Sequence, residues 1–331
     1  MRIPGRRGAV AVCVTVAVMF LWCGMAPAAE QKIAYRLKWL INMSTVGDIL
    51  ADSMGFFKQA GLVVELKAGG PERDAIRELE LGYADFGVAS ADQVIQAAAK
   101  GAPVVVVAQL FQVNPLQWIY FKDKGPLDSP AGLKGKRIGV TFGKNDEIIM
   151  RTLLARAGIA DDQVRLASVR LDYTPFYKRK VDLWPVYANT QGVEIGRKLT
   201  QAGEPIGFLN PGDHGVRFVA NSVVTSERMI AEHPELVRRF VAALLQGWRA
   251  ALDAANTETA IAHVQRHDPD TPREILKAQL EATRPLIQPP AEAAVGWIDT
   301  PAWEQTEQIM LTHKQIPQPV NVTRRLRPMK D

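Results

Sequence analysis

Several side chains stand where chemistry is expected, just past the ends of strand-like runs. Trp39 and Asn42 follow the first run, Gly69 and Gly70 the second, Ser90 the third, and Gln109 and Gln112 the fourth. In a parallel sheet, the loops after the carboxyl ends of the strands hold the ligand. A tryptophan ring there offers a flat stacking surface, and Gln, Asn and Ser read a ligand's polar edge. Further along, Gly143, Lys144 and Asn145 open a helix whose free N–H groups favour an anion or an acceptor atom, with Lys144 adding charge. The alternative leaves Lys144 solvated and makes Asn145 a plain helix cap, a position asparagine prefers. Trp39 also has two destinations, pocket and core, and its strand-end place favours the pocket. His263 and His267 share the i, i+4 spacing of a metal pair, but Asp268-Pro269 ends that helix, so a surface location is expected and no metal site is assigned.

The elements that position these residues follow from periodicity. Strand over residues 33–40, helix over 45–60, strand over 63–66 after the Gly61 stop, helix over 72–81, strand over 84–88, helix over 92–100 and a β-branched buried strand over 104–110 form one alternating run. A second begins after Asn114-Pro115: strand 118–121, a loop over 122–136, strand 137–140, helix 145–157, strand 164–169, a helix near 173–180 and strand 183–186. Alternation of this kind predicts an α/β fold with parallel sheets covered by helices. A last strand is expected over 216–221. Beyond it the chain turns helical, with Leu236, Val237, Phe240, Val241, Leu244, Leu245, Trp248 and Leu252 on one apolar face after Pro234, and another helix starting at Thr300-Pro301. Trp248 and Trp303 are expected to bury in these helix faces.

The amino-terminal segment reads as an address. Arg2, Arg6 and Arg7 precede an apolar stretch over residues 9–21, and Ala26-Pro27-Ala28-Ala29 then supplies small residues before polar Glu30-Gln31. This is the pattern of a cleavable export signal over residues 1–28, cut after Ala28 or Ala29. Both cysteines, Cys13 and Cys23, lie inside it, so the exported chain would hold no disulfide, thiolate metal site or cysteine nucleophile. The three arginines also account for three of the five net positive charges, which removes the basic balance that would suggest nucleic acid. The remaining chain shows no further stretch of membrane-spanning length, so no stable membrane insertion is expected after cleavage. The basic tail of Arg324, Arg325, Arg327 and Lys330 reads as solvated.

Ordered motifs then resemble a known family. Leu37-Lys38-Trp39, Gly55-Phe56-Phe57, Gly61-Leu62-Val63-Val64-Glu65 and Leu81-Gly82-Tyr83-Ala84-Asp85-Phe86-Gly87 look like the opening lobe of type II periplasmic solute-binding proteins. Asp128-Ser129-Pro130, Leu133-Lys134-Gly135-Lys136-Arg137-Ile138-Gly139-Val140, Lys180-Val181-Asp182-Leu183-Trp184 and Asn210-Pro211-Gly212-Asp213-His214-Gly215-Val216 resemble their second lobe and the return crossing. The nearest group in kind binds thiamine-pyrimidine precursors, alkanesulfonates, taurine or nitrate, and includes an intracellular yeast pyrimidine synthase with a cysteine-rich motif.

This resemblance implies a two-lobed fold with the ligand cleft between the lobes and a helical C-terminal extension. The first lobe takes residues 29–114 and 214–331, and the second takes 115–213. It implies a monomer working outside the cytoplasm with the permease and ATPase of an ABC importer, without catalysis or cofactor. Trp184, Tyr187 and Asn189 fall where the family places a ligand-facing stretch, which here reads Asn189-Thr190-Gln191 and lacks the usual glutamate. Asp213 and His214, near the second crossing, serve either ligand or hinge, with the hinge favoured. A small heteroaromatic solute, pyrimidine-like, is the leading ligand. An oxyanion such as a sulfonate or nitrate is the alternative, as is presentation of ligand to a membrane receptor kinase.

Overall fold

The computed structural model describes residue 1 and residues 31–70, 73–125, 127–170, 172–288 and 294–329. The export signal read over residues 1–28, with both cysteines, falls outside the described residues apart from Met1. Two sheets carry the fold. The first collects β1 (Gln31–Arg36), β2 (Leu62–Lys67), β3 (Phe86–Ala89) and β4 (Val104–Gln109), and takes in β10 (Ser222–Ser226) from far along the chain, in the order β2-β1-β3-β10-β4. The second holds β5 (Leu116–Phe121), β6 (Arg137–Val140), β7 (Arg165–Ser168), β8 (Leu183–Tyr187) and β9 (Ile206–Leu209), in the order β7-β6-β8-β5-β9. The chain therefore passes between sheets twice, between Gln109 and Leu116 and between Leu209 and Ser222. β10 lies between β3 and β4 and runs antiparallel to both, and β5 lies between β8 and β9 and runs antiparallel to both.

Helices fill the crossovers. In the first lobe they are α1 (Val46–Ser53), α2 (Phe56–Gln59), α3 (Ala75–Leu81) and α4 (Ala91–Ala99), and in the second α5 (Asn145–Arg156), α6 (Thr174–Tyr177) and α7 (Gln191–Gln201). After β10 come α8 (Glu227–Glu232), α9 (Pro234–Leu252), α10 (Thr257–Gln265), α11 (Arg273–Ile287) and α12 (Thr300–Thr312). The helix expected over 45–60 is two helices, because Gly55 adopts φ +76° and turns the chain between them.

The apolar face read on α9 packs onto the first sheet. Phe240 stacks on Phe86 with centroids 3.8 Å apart and on Phe57 at 5.4 Å, while Tyr35 meets it edge-on at 5.1 Å. Trp248 and Trp303 bury fully, as the helix faces imply. α1 and α9 approach through glycines: a Cβ on Gly47 would lie 2.1 Å from the Trp248 ring, and one on Gly247 would lie 2.3 Å from the Gly47 carbonyl oxygen.

One expectation fails and another holds only in part, for reasons tied to the crossings and the sheet edge. Residues 216–221 form no strand, because their backbone fastens the crossings together. The Asn221 carbonyl accepts the N–H groups of Leu110 and Phe111, and the Phe218 carbonyl accepts from Asn114 Nδ2 at 2.8 Å. The basic tail keeps Arg324 and Arg327 exposed, as expected, yet its backbone docks: Leu326 bridges Val106 on β4, the Arg327 N–H donates to the Val106 carbonyl, and Arg325 pairs with Glu227 at 2.6 Å. Covering an edge strand in this way explains why every residue of β4 is buried.

Candidate functional site

The carboxyl ends of the two sheets meet at Asn189, two residues past β8. Its side chain is 0% exposed, and Nδ2 donates to Ser44 Oγ at 3.0 Å and to Thr283 Oγ1 at 2.9 Å. Ser44 belongs to the turn after β1, and Thr283 to α11, so this one amide ties the second lobe to two elements of the first. The Thr283 hydroxyl donates in turn to the Gln279 carbonyl at 2.7 Å. Thr45, Thr190 and the Gln279 side chain are also buried, and none of these groups is charged. Two acceptors, Asn189 Oδ1 and Gln279 Oε1, are buried without a hydrogen-bond partner among the described residues. Buried acceptors are normally satisfied, so these two stand out at the junction of the lobes.

Local sequence explains the positioning. Asn42 caps the short turn Met43–Thr45, its Oδ1 accepting the Ser44 N–H at 2.8 Å while Thr45 Oγ1 accepts the Asn42 N–H at 3.3 Å. That capping box holds Ser44 toward Asn189. On α11 the buried positions are Leu276, Gln279, Leu280, Thr283, Leu286 and Ile287. Gln279 and Thr283 are the two polar members of that otherwise apolar stripe. They were missed in the sequence reading, and polar residues interrupting a helical apolar face are the signal that could have found them.

The remaining strand-end residues divide. Trp39 is 38% exposed and its carbonyl accepts the Gly69 N–H. Gly69 and Gly70 are buried, and a Cβ on Gly69 would lie 2.3 Å from the Leu37 carbonyl oxygen, so this contact demands glycine. Tyr187 is half-buried at the end of β8. Ser90 caps α4, its hydroxyl held by Asp92 and Gln93. Gln109 is a fastener: Oε1 accepts from the Asp299 N–H and Trp303 Nε1, both at 3.1 Å, and Nε2 donates to the Phe111 carbonyl. Gln112 Nε2 donates to the Trp297 and Gln109 carbonyls, which commits it to the first crossing. Trp184 is the clearest correction. It is 1% exposed within the core of the second lobe, among Ile119, Phe121, Phe176 and Val186, with Tyr173 at 5.6 Å, and presents no stacking face. Asp213 accepts from Asn210 Nδ2 at 2.9 Å in the turn Pro211–His214 of the second crossing. Asp213 also borders a cavity of about 350 Å³ formed by both crossings, Ile149 and the start of α12, and His214 is half-buried beside it.

At the start of α5, Lys144 rather than Asn145 occupies the N-cap and its side chain caps nothing. Gly143 takes φ +77°. The Thr141 N–H donates to Asp146 Oδ2 at 2.6 Å, and the Gly143 N–H to Glu147 Oε2 at 2.7 Å. Burial pushes the Asp146 carboxyl above its ordinary pKa, opposed by its bond from Thr141. A second buried carboxyl, Asp48 on α1, is pushed up to about 7, by burial first, while the Tyr35 hydroxyl donating to it at 2.6 Å works the other way. Among the described residues no group of His, Cys, Asp and Glu is arranged to hold a metal, and no helix is long and apolar enough to cross a membrane.

With this geometry established, comparison with known proteins is decisive for the family. A family model described as NMT1/THI5 like matches residues 42–257. The chain belongs to the NMT1/THI5-like family. Within reach of this NMT1/THI5-like chain, the riboflavin-binding protein RibY of Chloroflexus aurantiacus is 27% identical over 90% of the chain and 86% of that protein. The formylaminopyrimidine-binding protein of Halalkalibacterium halodurans is 25% identical over 88% of each. A 4-amino-5-hydroxymethyl-2-methylpyrimidine phosphate synthase of Legionella pneumophila is 26% identical over 66% of the chain and 68% of its own length. Among solved structures, the periplasmic aliphatic sulphonate binding protein SsuA from Escherichia coli superposes with a TM-score of 0.72 at 16% identity, covering 92% of this chain and 94% of its own. The fold is thus the two-lobed α/β fold of periplasmic binding proteins with a helical C-terminal extension. Solute binding is the function that this NMT1/THI5-like protein shares with the relatives covering most of its length.

Proposed function

We propose that this protein captures a small, neutral heteroaromatic solute bearing N–H donors, a pyrimidine-like ring, in the cleft between its lobes. It then delivers that solute to the permease and ATPase of an ABC importer. The carrying observation is the uncharged junction around Asn189, with the Asn189 and Gln279 acceptor oxygens buried and open. Amino and imide N–H groups on a ring are the donors that two amide oxygens would accept. Trp39, half-exposed at the end of the first strand, gives such a ring a flat surface. The names of the riboflavin- and formylaminopyrimidine-binding relatives, both nitrogen heterocycles, agree with this chemistry. The protein works as an exported monomer after loss of residues 1–28, and it binds without catalysing, although the family also contains synthases.

A thermal-shift screen of pyrimidines, flavins, sulfonates, nitrate and aromatic acids tests the reading, with mass spectrometry of any solute that co-purifies. A stabilising shift with nitrogen heterocycles is expected. No shift with any of them, or a shift with oxyanions alone, overturns it.

A further inference from the structure

The loop between β6 and α5 is where the second lobe would hold an anion, since backbone N–H groups at a helix start attract negative charge. Here two of the loop's donors are already engaged by the chain itself. Thr141 N–H is bonded to Asp146 Oδ2, and Gly143 N–H to Glu147 Oε2. Glu147 is fixed from behind: its Oε1 accepts from Arg151 Nε at 2.9 Å, and Arg151 also pairs with Asp161. Asp146 is only 5% exposed, and its second oxygen, Oδ1, is buried with no partner among the described residues. The loop thus presents two carboxylates in the place where an oxyanion would need donors, and one of them retains a free acceptor. Lys144, the one cation of the loop, is exposed.

We infer that Asp146 and Glu147 are specificity-determining residues that bar oxyanions from the cleft and leave it to solutes that bring N–H donors. This rests on the interlobe cleft being the binding site. It separates the chain in chemistry from sulfonate-binding proteins whose fold it shares. An oxyanion entering here meets like charge and finds the Thr141 and Gly143 amides taken, whereas a neutral ring with an amino group brings no charge to be repelled.

The test uses the exported chain with Asp146→Asn, Glu147→Gln and the double variant, each close in shape to the residue it replaces. Folding is checked by circular dichroism and thermal melting. Ethanesulfonate and 4-amino-5-hydroxymethyl-2-methylpyrimidine are titrated calorimetrically in buffer free of sulfate and phosphate. The parent is expected to give no heat with millimolar ethanesulfonate, and each neutralised carboxylate to raise its affinity about tenfold. The inference is overturned if the parent binds ethanesulfonate as tightly as the double variant, or if the folded double variant stays blind to it. Asn189→Ala keeps the two readings apart. Pyrimidine binding that this change leaves untouched refutes the cleft, whereas binding that it weakens, with no sulfonate gained in the double variant, refutes the role of Asp146 and Glu147 alone.

Discussion

Replacing Asn189 with alanine removes both hydrogen bonds that join the second lobe to Ser44 and Thr283. Each neutral bond contributes roughly 0.5–1.5 kcal/mol net. Thr283 keeps its own bond to the Gln279 carbonyl and loses only an incoming donor, while the Ser44 hydroxyl is free to rotate to another partner. The loss therefore sits toward the low end, about 1–2 kcal/mol for the pair. It falls on lobe closure, because the bonds cross between lobes, so the affinity for a captured solute should drop about 5- to 30-fold. Calorimetric titration with whichever heterocycle stabilises the parent measures this, and small-angle scattering at matched solute concentration reports the closed fraction. Ser44→Ala makes the reasoning stricter. Combined with Asn189→Ala it should cost less than the two single changes added, since both remove the same bond. Unchanged affinity in Asn189→Ala, or strict additivity in the pair, would refute the assignment of Asn189 as the closing contact.

Three further outcomes follow from packing and titration. Because the folded Asp48 carboxyl titrates at about 7 instead of the ordinary 3.8, the folded state holds a proton that the unfolded chain releases. Stability attributable to this group is therefore greatest below the ordinary value and falls as pH rises through that window, by on the order of 4 kcal/mol. Asp48→Asn removes this slope, so its melting temperature relative to the parent should climb from acid to neutral pH; parallel melting curves would show that Asp48 is ionised at no cost. Gly47→Ala and Gly247→Ala force a methyl against the Trp248 ring and the Gly47 carbonyl, and each should destabilise by about 1–3 kcal/mol or more in urea unfolding. Trp184→Ala should cost about 3–5 kcal/mol of folding stability, with any change in affinity following from that loss. A well-folded Trp184→Ala protein with selectively lost binding would restore the ring to the ligand.

The alternation of strands and helices was legible because apolar patterns and β-branched runs are local properties of the chain, the helical face of α9 and the valine run of β4 being the clearest. The two crossings were legible in outline from motif order, but the strand expected over 216–221 was not there, since apolar residues at a crossing imitate a strand while their backbone serves long-range partners such as Asn114. Trp184 misled for a related reason: a sheet covered on both faces buries both sides of β8, and Trp184, the second residue of that strand, lies toward its amino end with no route to the cleft. The place of Asn189 just past the strand was legible, and the structure puts it at the junction of the lobes. Its partners were not, because nothing in residues 273–287 says that the stripe holding Gln279 and Thr283 turns toward a loop about ninety residues earlier in the chain. Gln109 shows the converse, a strand-end amide whose every atom is spent holding the crossing to α12.

The open acceptors also explain how capture would be coupled to closure. An acceptor buried without a partner costs about 1–3 kcal/mol, so Asn189 Oδ1 and Gln279 Oε1 together carry a penalty of about 2–6 kcal/mol until donors reach them. That penalty is the term a captured solute can relieve. A ring presenting two N–H groups removes it on entry and shifts the population to the closed form, with a differential affinity equal to the penalty relieved. A sulfonate or nitrate of matching size carries only acceptor oxygens and relieves neither atom. Selection would then lie in the closing step: many small molecules can enter an open cleft, but only donors of the right spacing let Asn189 reach Ser44 and Thr283 with no acceptor left unsatisfied.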